Sequence, residues 1–153
     1  RLLIGKPEKE QLPEQVFMIE TNIDDMNPHW YEVVFEKLFE AKALDVYLVN
    51  AYMKKQRPGI VLHVLCKKED LVNIQQCIFE HTTTFGVRYY PVARTVLARH
   101  TKTTRTRYGK VQVKTGVQNG NIITISPEYE DCKKLAKNKK IPLKQLYKGV
   151  VNR

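Results

Sequence analysis

Residues 16–65 read VFMIETNIDDMNPHWYEVVFEKLFEAKALDVYLVNAYMKKQRPGIVLHVL, and this stretch decides the fold. Val16-Phe17-Met18-Ile19 is an apolar run of strand length. It gives way to Thr21-Asn22-Ile23-Asp24-Asp25-Met26. Asn27-Pro28 then opens a helix, with Asn as the capping residue and Pro at the first helical position. Trp30, Val33, Val34, Leu38 and Ala41 recur at helical spacing and predict one apolar face. Two strands follow, Val46–Met53 and Ile60–Leu65. They form a hairpin through Gln56-Arg57-Pro58-Gly59, whose Pro before Gly is what a type II turn prefers.

Working outward, Glu69 to His81 reads as a helix with Leu71, Ile74 and Ile78 on one face. A fourth strand starts at Gly86-Val87-Arg88-Tyr89-Tyr90 and runs past Pro91 toward Leu97. Strand, helix, strand, strand, helix, strand is the ferredoxin-like split βαβ pattern. It occupies residues 16–100 and implies the strand order 4-1-3-2, with both helices on one face. Residues 1–15 are polar, carry Pro7 and Pro13, and read as a linker or arm. Residues 101–153 read as a small α/β subdomain. In it, Arg105–Lys114 reads as strand, turn, strand, and Asn119-Gly120 is a strong hairpin signal that pairs Ile122–Ile125 back. Ser126-Pro127 starts a helix with Cys132, Leu135 and Ala136 inward. A last helix after Pro142 carries Leu143, Leu146 and Val150. The fold class is therefore α+β: a ferredoxin-like domain with a small C-terminal β-hairpin plus helices.

The chain has 153 residues, is 42% hydrophobic and carries a formal net charge of +10. Such a composition supports a packed core. The charge is unevenly placed. Residues 1–80 hold ten Lys/Arg and thirteen Asp/Glu, whereas residues 81–153 hold sixteen and three. That asymmetry favours a polyanionic ligand. No apolar run is long enough to span a bilayer. The start at Arg1 rather than Met suggests a piece of a longer protein. Cys66, Cys77 and Cys132 form no CxxC, as free thiols in a reducing cytoplasm would. Four separated histidines argue against a zinc site. P-loop, GxGxxG, HExxH and GxSxG motifs are all absent, which excludes several common enzyme classes.

Three constellations could carry chemistry. Asp24-Asp25 in a strand-to-helix turn can hold magnesium or manganese, or else simply favour the helix N-terminus. Lys54-Lys55-Gln56-Arg57-Pro58-Gly59 puts cations and backbone N–H groups on a tight turn that suits phosphate, or else forms a soluble hairpin tip. Arg88, Arg94, Arg99, Lys102, Arg105, Arg107, Lys110 and Lys114, with Tyr89, Tyr90 and Tyr108 interleaved, suit phosphates or nucleic acid. The split βαβ order is expected to set Asp24-Asp25 beside Gly86 and Arg88, with the Lys54–Arg57 turn at the opposite end near Arg99. At about 3.3 Å per residue the two would lie roughly 25 Å apart. One triphosphate could then reach both only across two subunits, and a homo-oligomer is expected for that reason and to cover open sheet surface.

Taken in order, Glu20–Met26, Tyr52–Gly59, Thr84–Arg88, Arg94 with Arg99, Gly109-Lys110-Val111 and Pro127–Cys132 resemble the C-terminal region of the LarC nickel-insertion family. The resemblance runs over most of residues 16–147. It implies insertion of nickel into pyridinium-3,5-bisthiocarboxylic acid mononucleotide, making the nickel-pincer cofactor of lactate racemase. It further implies dependence on CTP and on Mn2+ or Mg2+. Lys54, Lys55, Arg57, Arg94 and Arg99 would take the phosphates, and Asp24 and Asp25 the divalent cation. No catalytic residue is assigned. The family's histidine-rich N-terminal region is missing here, so nickel would be held by that part, a partner of this chain. The readings from other classes are a small basic RNA- or DNA-binding domain, against which stands the lack of an RNP-type strand, and an oligomerisation domain.

Overall fold

The computed structural model describes residues 14–151. Its elements run β1 (Glu14–Ile23), α1 (Tyr31–Glu40), β2 (Asp45–Tyr52), β3 (Pro58–Cys66), α2 (Leu71–His81), β4 (Arg88–Arg94), β5 (Ala98–Thr106), β6 (Gly109–Gln118), β7 (Asn121–Pro127), α3 (Tyr129–Lys139) and α4 (Leu143–Val151). One compact unit ends at Thr95 and a second begins at Val96.

In the first unit the strands lie in the order β2-β3-β1-β4, every neighbouring pair antiparallel. This is the 4-1-3-2 order expected of a split βαβ fold, counted from the other edge. Side chains alternate along β1 because successive residues of a strand face opposite sides. Ile19 and Ile23 join the core with α1 and α2. Glu20 and Asn22 face the other way. Ile19, Leu38, Leu62, Ile74 and Ile78 are fully buried. Burying each such side chain stabilises the fold by about 2 kcal/mol.

Several boundaries differ from the sequence reading. Asn27 does cap the entry, its Oδ1 accepting from the N–H of His29 at 3.0 Å, but Pro28–Trp30 forms a single 3-10 turn before α1. That tighter turn shifts the helical phase. The buried stripe is consequently Tyr31, Val34 and Leu38, while Trp30 and Val33 are half exposed. Glu14 and Gln15 open β1, opposite Arg94 and Ala93. The rest of the predicted arm lies outside the described residues. Pro58 and Gly59 are not turn residues but the first pairs of β3, opposite Tyr52 and Ala51.

The second unit is a three-stranded antiparallel meander, β5-β6-β7, backed by α3 and α4. The strand, turn, strand expected at Arg105–Lys114 is present but begins earlier, because Ala98–Thr106 pairs with Gly109–Val117 along its whole length. That strand starts inside the stretch predicted to close the first domain at residue 100. Asn119 and Gly120 form the two-residue turn with φ of 51° and 76°, the left-handed geometry of a hairpin turn whose twist matches its strands. Ser126 and Pro127 remain paired with Lys114 and Val113, so α3 begins at Tyr129 rather than at Ser126. Val111, Val113, Cys132, Leu146 and Val150 form the buried core of this unit. No helix among the described residues is long and apolar enough to cross a membrane.

Candidate nucleotide and metal site

The sheet topology brings two of the three constellations together. β1 and β2 run parallel, each antiparallel to β3, so both end at the same rim of the sheet. The β2–β3 hairpin therefore sits beside the end of β1. Ile23 pairs with Ile60, and Asp24 lies just past it. The Arg57 guanidinium reaches Asp24, with Nη1 3.3 Å from Oδ2. The roughly 25 Å separation expected from the sequence is therefore wrong. It came from sending β2 in the wrong direction, and with it goes the argument that two subunits must share the site.

The hairpin tip runs from Met53 to Arg57 and is closed by Met53 N–H donating to Arg57 C=O at 2.8 Å. Lys55 (φ 62°) and Gln56 (φ 59°) both adopt left-handed backbone conformations. Two consecutive non-glycine residues there cost about 1–2 kcal/mol each. Strained backbone in a cationic turn exposes N–H groups in the manner of anion-binding loops. At the base of the hairpin, Gly59 approaches β1 closely. A Cβ there would stand 2.8 Å from the carbonyl oxygen of Ile23 and 2.7 Å from Met53 Cε. Gly59→Ala is expected to cost about 1–2 kcal/mol, measured by chemical denaturation, because the backbone of β1 must give way next to Asp24.

The loop ahead of β4 completes the rim. Thr83 Oγ1 donates to Asp25 Oδ1 at 2.5 Å. Thr84 Oγ1 lies 2.6 Å from the buried Thr21 hydroxyl, which donates to Gly86 C=O at 2.8 Å. These bonds pin the 83–86 loop to β1. Asp25 also faces Tyr31, whose phenol is pushed above its ordinary value by burial and then by the Asp25 charge.

Among the described residues no set of three His, Cys, Asp or Glu side chains converges as an all-protein metal cage. Asp24 and Asp25 do offer the carboxylate oxygens that magnesium and manganese take. These cations are commonly held by one or two carboxylates, with substrate phosphates and water completing the shell. Cys66 is buried, and burial pushes its thiol up to about 11.

The remaining predicted residues lie elsewhere. Arg94 is at the far end of β4, held by Glu14 through Nη2 at 2.7 Å and Nε at 3.2 Å. Six residues of β1 separate it from the register of Arg88, about 20 Å. Arg99 is exposed on β5 of the second unit. Of the other cations, Lys114 pairs with Glu128 and Arg107 lies over the Tyr108 ring at 4.6 Å.

Sequence reasoning missed a polar row across the sheet face away from the helices. Glu20 accepts from Tyr90 OH at 2.6 Å and from Arg88 Nε at 2.8 Å. Arg88 Nη1 also donates to Asn22 Oδ1 at 3.0 Å, which commits Arg88 to the fold. His63 stacks on Tyr47 and brings Nδ1 to 3.3 Å from Glu20 Oε1, an ion-pair distance without hydrogen-bond alignment. The Tyr90 hydrogen bond and then Arg88 hold the Glu20 carboxyl below its ordinary value, against the opposing effect of burial. The available signal was Glu20 and Asn22 alternating with apolar residues in the first strand.

Residues 1–147 match the family described as "Nickel insertion protein". The chain belongs to this family. Its relatives include the pyridinium-3,5-bisthiocarboxylic acid mononucleotide nickel insertion proteins of Clostridium kluyveri, 43% identical over 150 residues, and of Acetivibrio thermocellus, 44% identical over 151 residues. Both alignments cover 98% of this chain, but only 38% and 37% of the relatives. The chain thus spans less than two-fifths of the length of the nickel insertion proteins it matches. Its fold is close to that of LarC2, the C-terminal domain of a cyclometallase involved in the synthesis of the NPN cofactor of lactate racemase. The TM-score is 0.87 at 36% identity, over 93% of this chain and 100% of that one. A protein of Methanopyrus kandleri shares the fold, with a TM-score of 0.66 at 24% identity, over 90% of this chain and 85% of that one.

Proposed function

We propose that this chain is the nucleotide- and metal-binding part of a nickel chelatase that converts pyridinium-3,5-bisthiocarboxylic acid mononucleotide to the nickel-pincer cofactor in the cytoplasm. The ligand at the sheet rim is CTP with Mn2+ or Mg2+. Nickel is cargo, held by the N-terminal region of the longer protein. The observation that carries this reading is the Asp24–Arg57 pair beside Lys54 and Lys55, which sets carboxylate and cation side by side.

Both side chains of the pair are partly exposed, and such pairs are worth only about 0–1 kcal/mol. A metal-bound triphosphate can replace each partner with a stronger one. Arg57, Lys54 and Lys55 turn to phosphate oxygens, with charge-assisted hydrogen bonds from Arg57. Asp24 and Asp25 hold the cation. When bound, the cation neutralises triphosphate charge and polarises a phosphoryl oxygen. Arg94, committed to Glu14, is left out of this rim, and Arg99 belongs to the second unit. Homo-oligomerisation is proposed to cover the sheet's open face and its edge strands.

Isothermal titration of the chain with CTP, with and without manganese, tests the reading. CTP with manganese is expected to bind and to raise the melting temperature by mass action. The same affinity with manganese removed would exclude Asp24 and Asp25 as cation ligands. No binding of any nucleoside triphosphate would remove the reading entirely.

A further inference from the structure

Phe85 is the one large apolar side chain in the 83–86 loop, and it is fully exposed, at 102% of its reference surface. The loop that carries it is held by the Thr83–Asp25 and Thr84–Thr21 hydrogen bonds and by Thr21 Oγ1 donating to Gly86 C=O at 2.8 Å. A rigid loop that displays an aromatic ring to water gains nothing for the fold, since the ring buries no apolar surface. Its place along the rim is informative. The cationic hairpin joins β2 and β3, and the Phe85 loop leads into β4 on the other side of β1. At about 4.8 Å per strand the two are roughly 10–14 Å apart, with Asp24 and Asp25 between them. A nucleoside triphosphate laid along the rim, phosphates on the hairpin and cation at the carboxylates, delivers its base to the Phe85 loop.

We infer that Phe85 is the stacking platform for the nucleobase of the bound nucleotide. The inference rests on the proposed phosphate and cation site and adds the part that distinguishes a nucleotide from an inorganic polyphosphate. An aromatic face accepts any planar base, so Phe85 contributes affinity for a nucleoside over bare phosphate and little choice among bases.

The test is titration calorimetry of the full chain with CTP and with inorganic tripolyphosphate, each with manganese, for the unaltered protein, Phe85→Ala, Phe85→Leu and Phe85→Tyr. Phe85→Ala and Phe85→Leu are expected to weaken CTP roughly tenfold or more while leaving tripolyphosphate unchanged. Phe85→Tyr restores CTP binding, because it keeps the ring face. Exposure of the side chain makes a folding failure an implausible cause, and an unchanged tripolyphosphate affinity checks this directly. Equal CTP affinity in all four proteins overturns the inference and leaves the phosphate site standing. So does a change of oligomeric state on Phe85→Ala with unaltered CTP affinity, which would make the ring a protein contact. Absence of tripolyphosphate and CTP binding by the unaltered chain overturns the site and the inference together.

Discussion

A chain carrying Lys54→Ala and Arg57→Ala binds CTP in the presence of manganese on the order of a hundredfold more weakly than the unaltered protein. Each hydrogen bond from a cationic side chain to an anion contributes about 1.5–3 kcal/mol, and solvent at this exposed rim holds both toward the low end. Two such losses sum to about 3 kcal/mol, or two powers of ten in affinity. The fold is expected to survive. The Arg57–Asp24 pair is partly exposed, and nothing in the hairpin tip is buried. Lys67→Ala with Lys68→Ala is the matched control. It removes the same charge where β3 ends, at the far end of the sheet. Long-range attraction alone would weaken binding equally in both variants, with a strong dependence on salt. An undiminished affinity in a folded Lys54/Arg57 variant would take the rim out of the nucleotide site.

Glu20→Ala is expected to lower the stability of the chain by about 1–2 kcal/mol at neutral pH. The carboxylate side chain is only 13% exposed and holds Arg88 and Tyr90. Arg88 and Tyr90 are exposed, so water takes over their donors and the loss is the net worth of the bonds. The same residue predicts a pH effect. Its carboxyl is held below the usual 4.5 in the folded state, through Tyr90 first and Arg88 after it. The unfolded chain therefore binds more protons over that interval, so this contribution is complete above the unfolded value and disappears as pH falls through the folded one. Denaturant titrations between neutral and acid pH should show the loss in the unaltered protein and a shallower one in Glu20→Ala. A variant with an unchanged midpoint and the same acid profile would show that the row across the sheet is ornament rather than support.

The element order was legible because the chain punctuates itself. Asn27-Pro28 marks a helix entry, Asn119-Gly120 a hairpin, and β-branched runs the strands. Phase and direction were harder. The 3-10 turn at Pro28–Trp30 rotates the helix by an amount that local spacing does not reveal, so Tyr31 is buried where Trp30 was expected. The end of the sheet at which Lys54–Arg57 sits follows only from tracing which strands run parallel, a tertiary property. Asp24, Asp25, Lys54, Lys55 and Arg57 were singled out from charge and turn position alone, and three-dimensional pairing then linked Asp24 to Arg57. Thr83 was invisible as a site residue, because a threonine acquires meaning only from the carboxylate it meets. Phe85 stood in a quoted motif without a role, since exposure is not written in sequence.

The contact between Asp24 and Arg57 also bears on selectivity. A lone anion at the rim meets the Asp24 carboxylate among the cations, and a lone cation meets the Arg57 guanidinium. Only a chelate carrying both signs answers both at once. On this reading the rim works as a coincidence detector that favours a metal-bound polyphosphate over sulfate, free phosphate and uncomplexed ions.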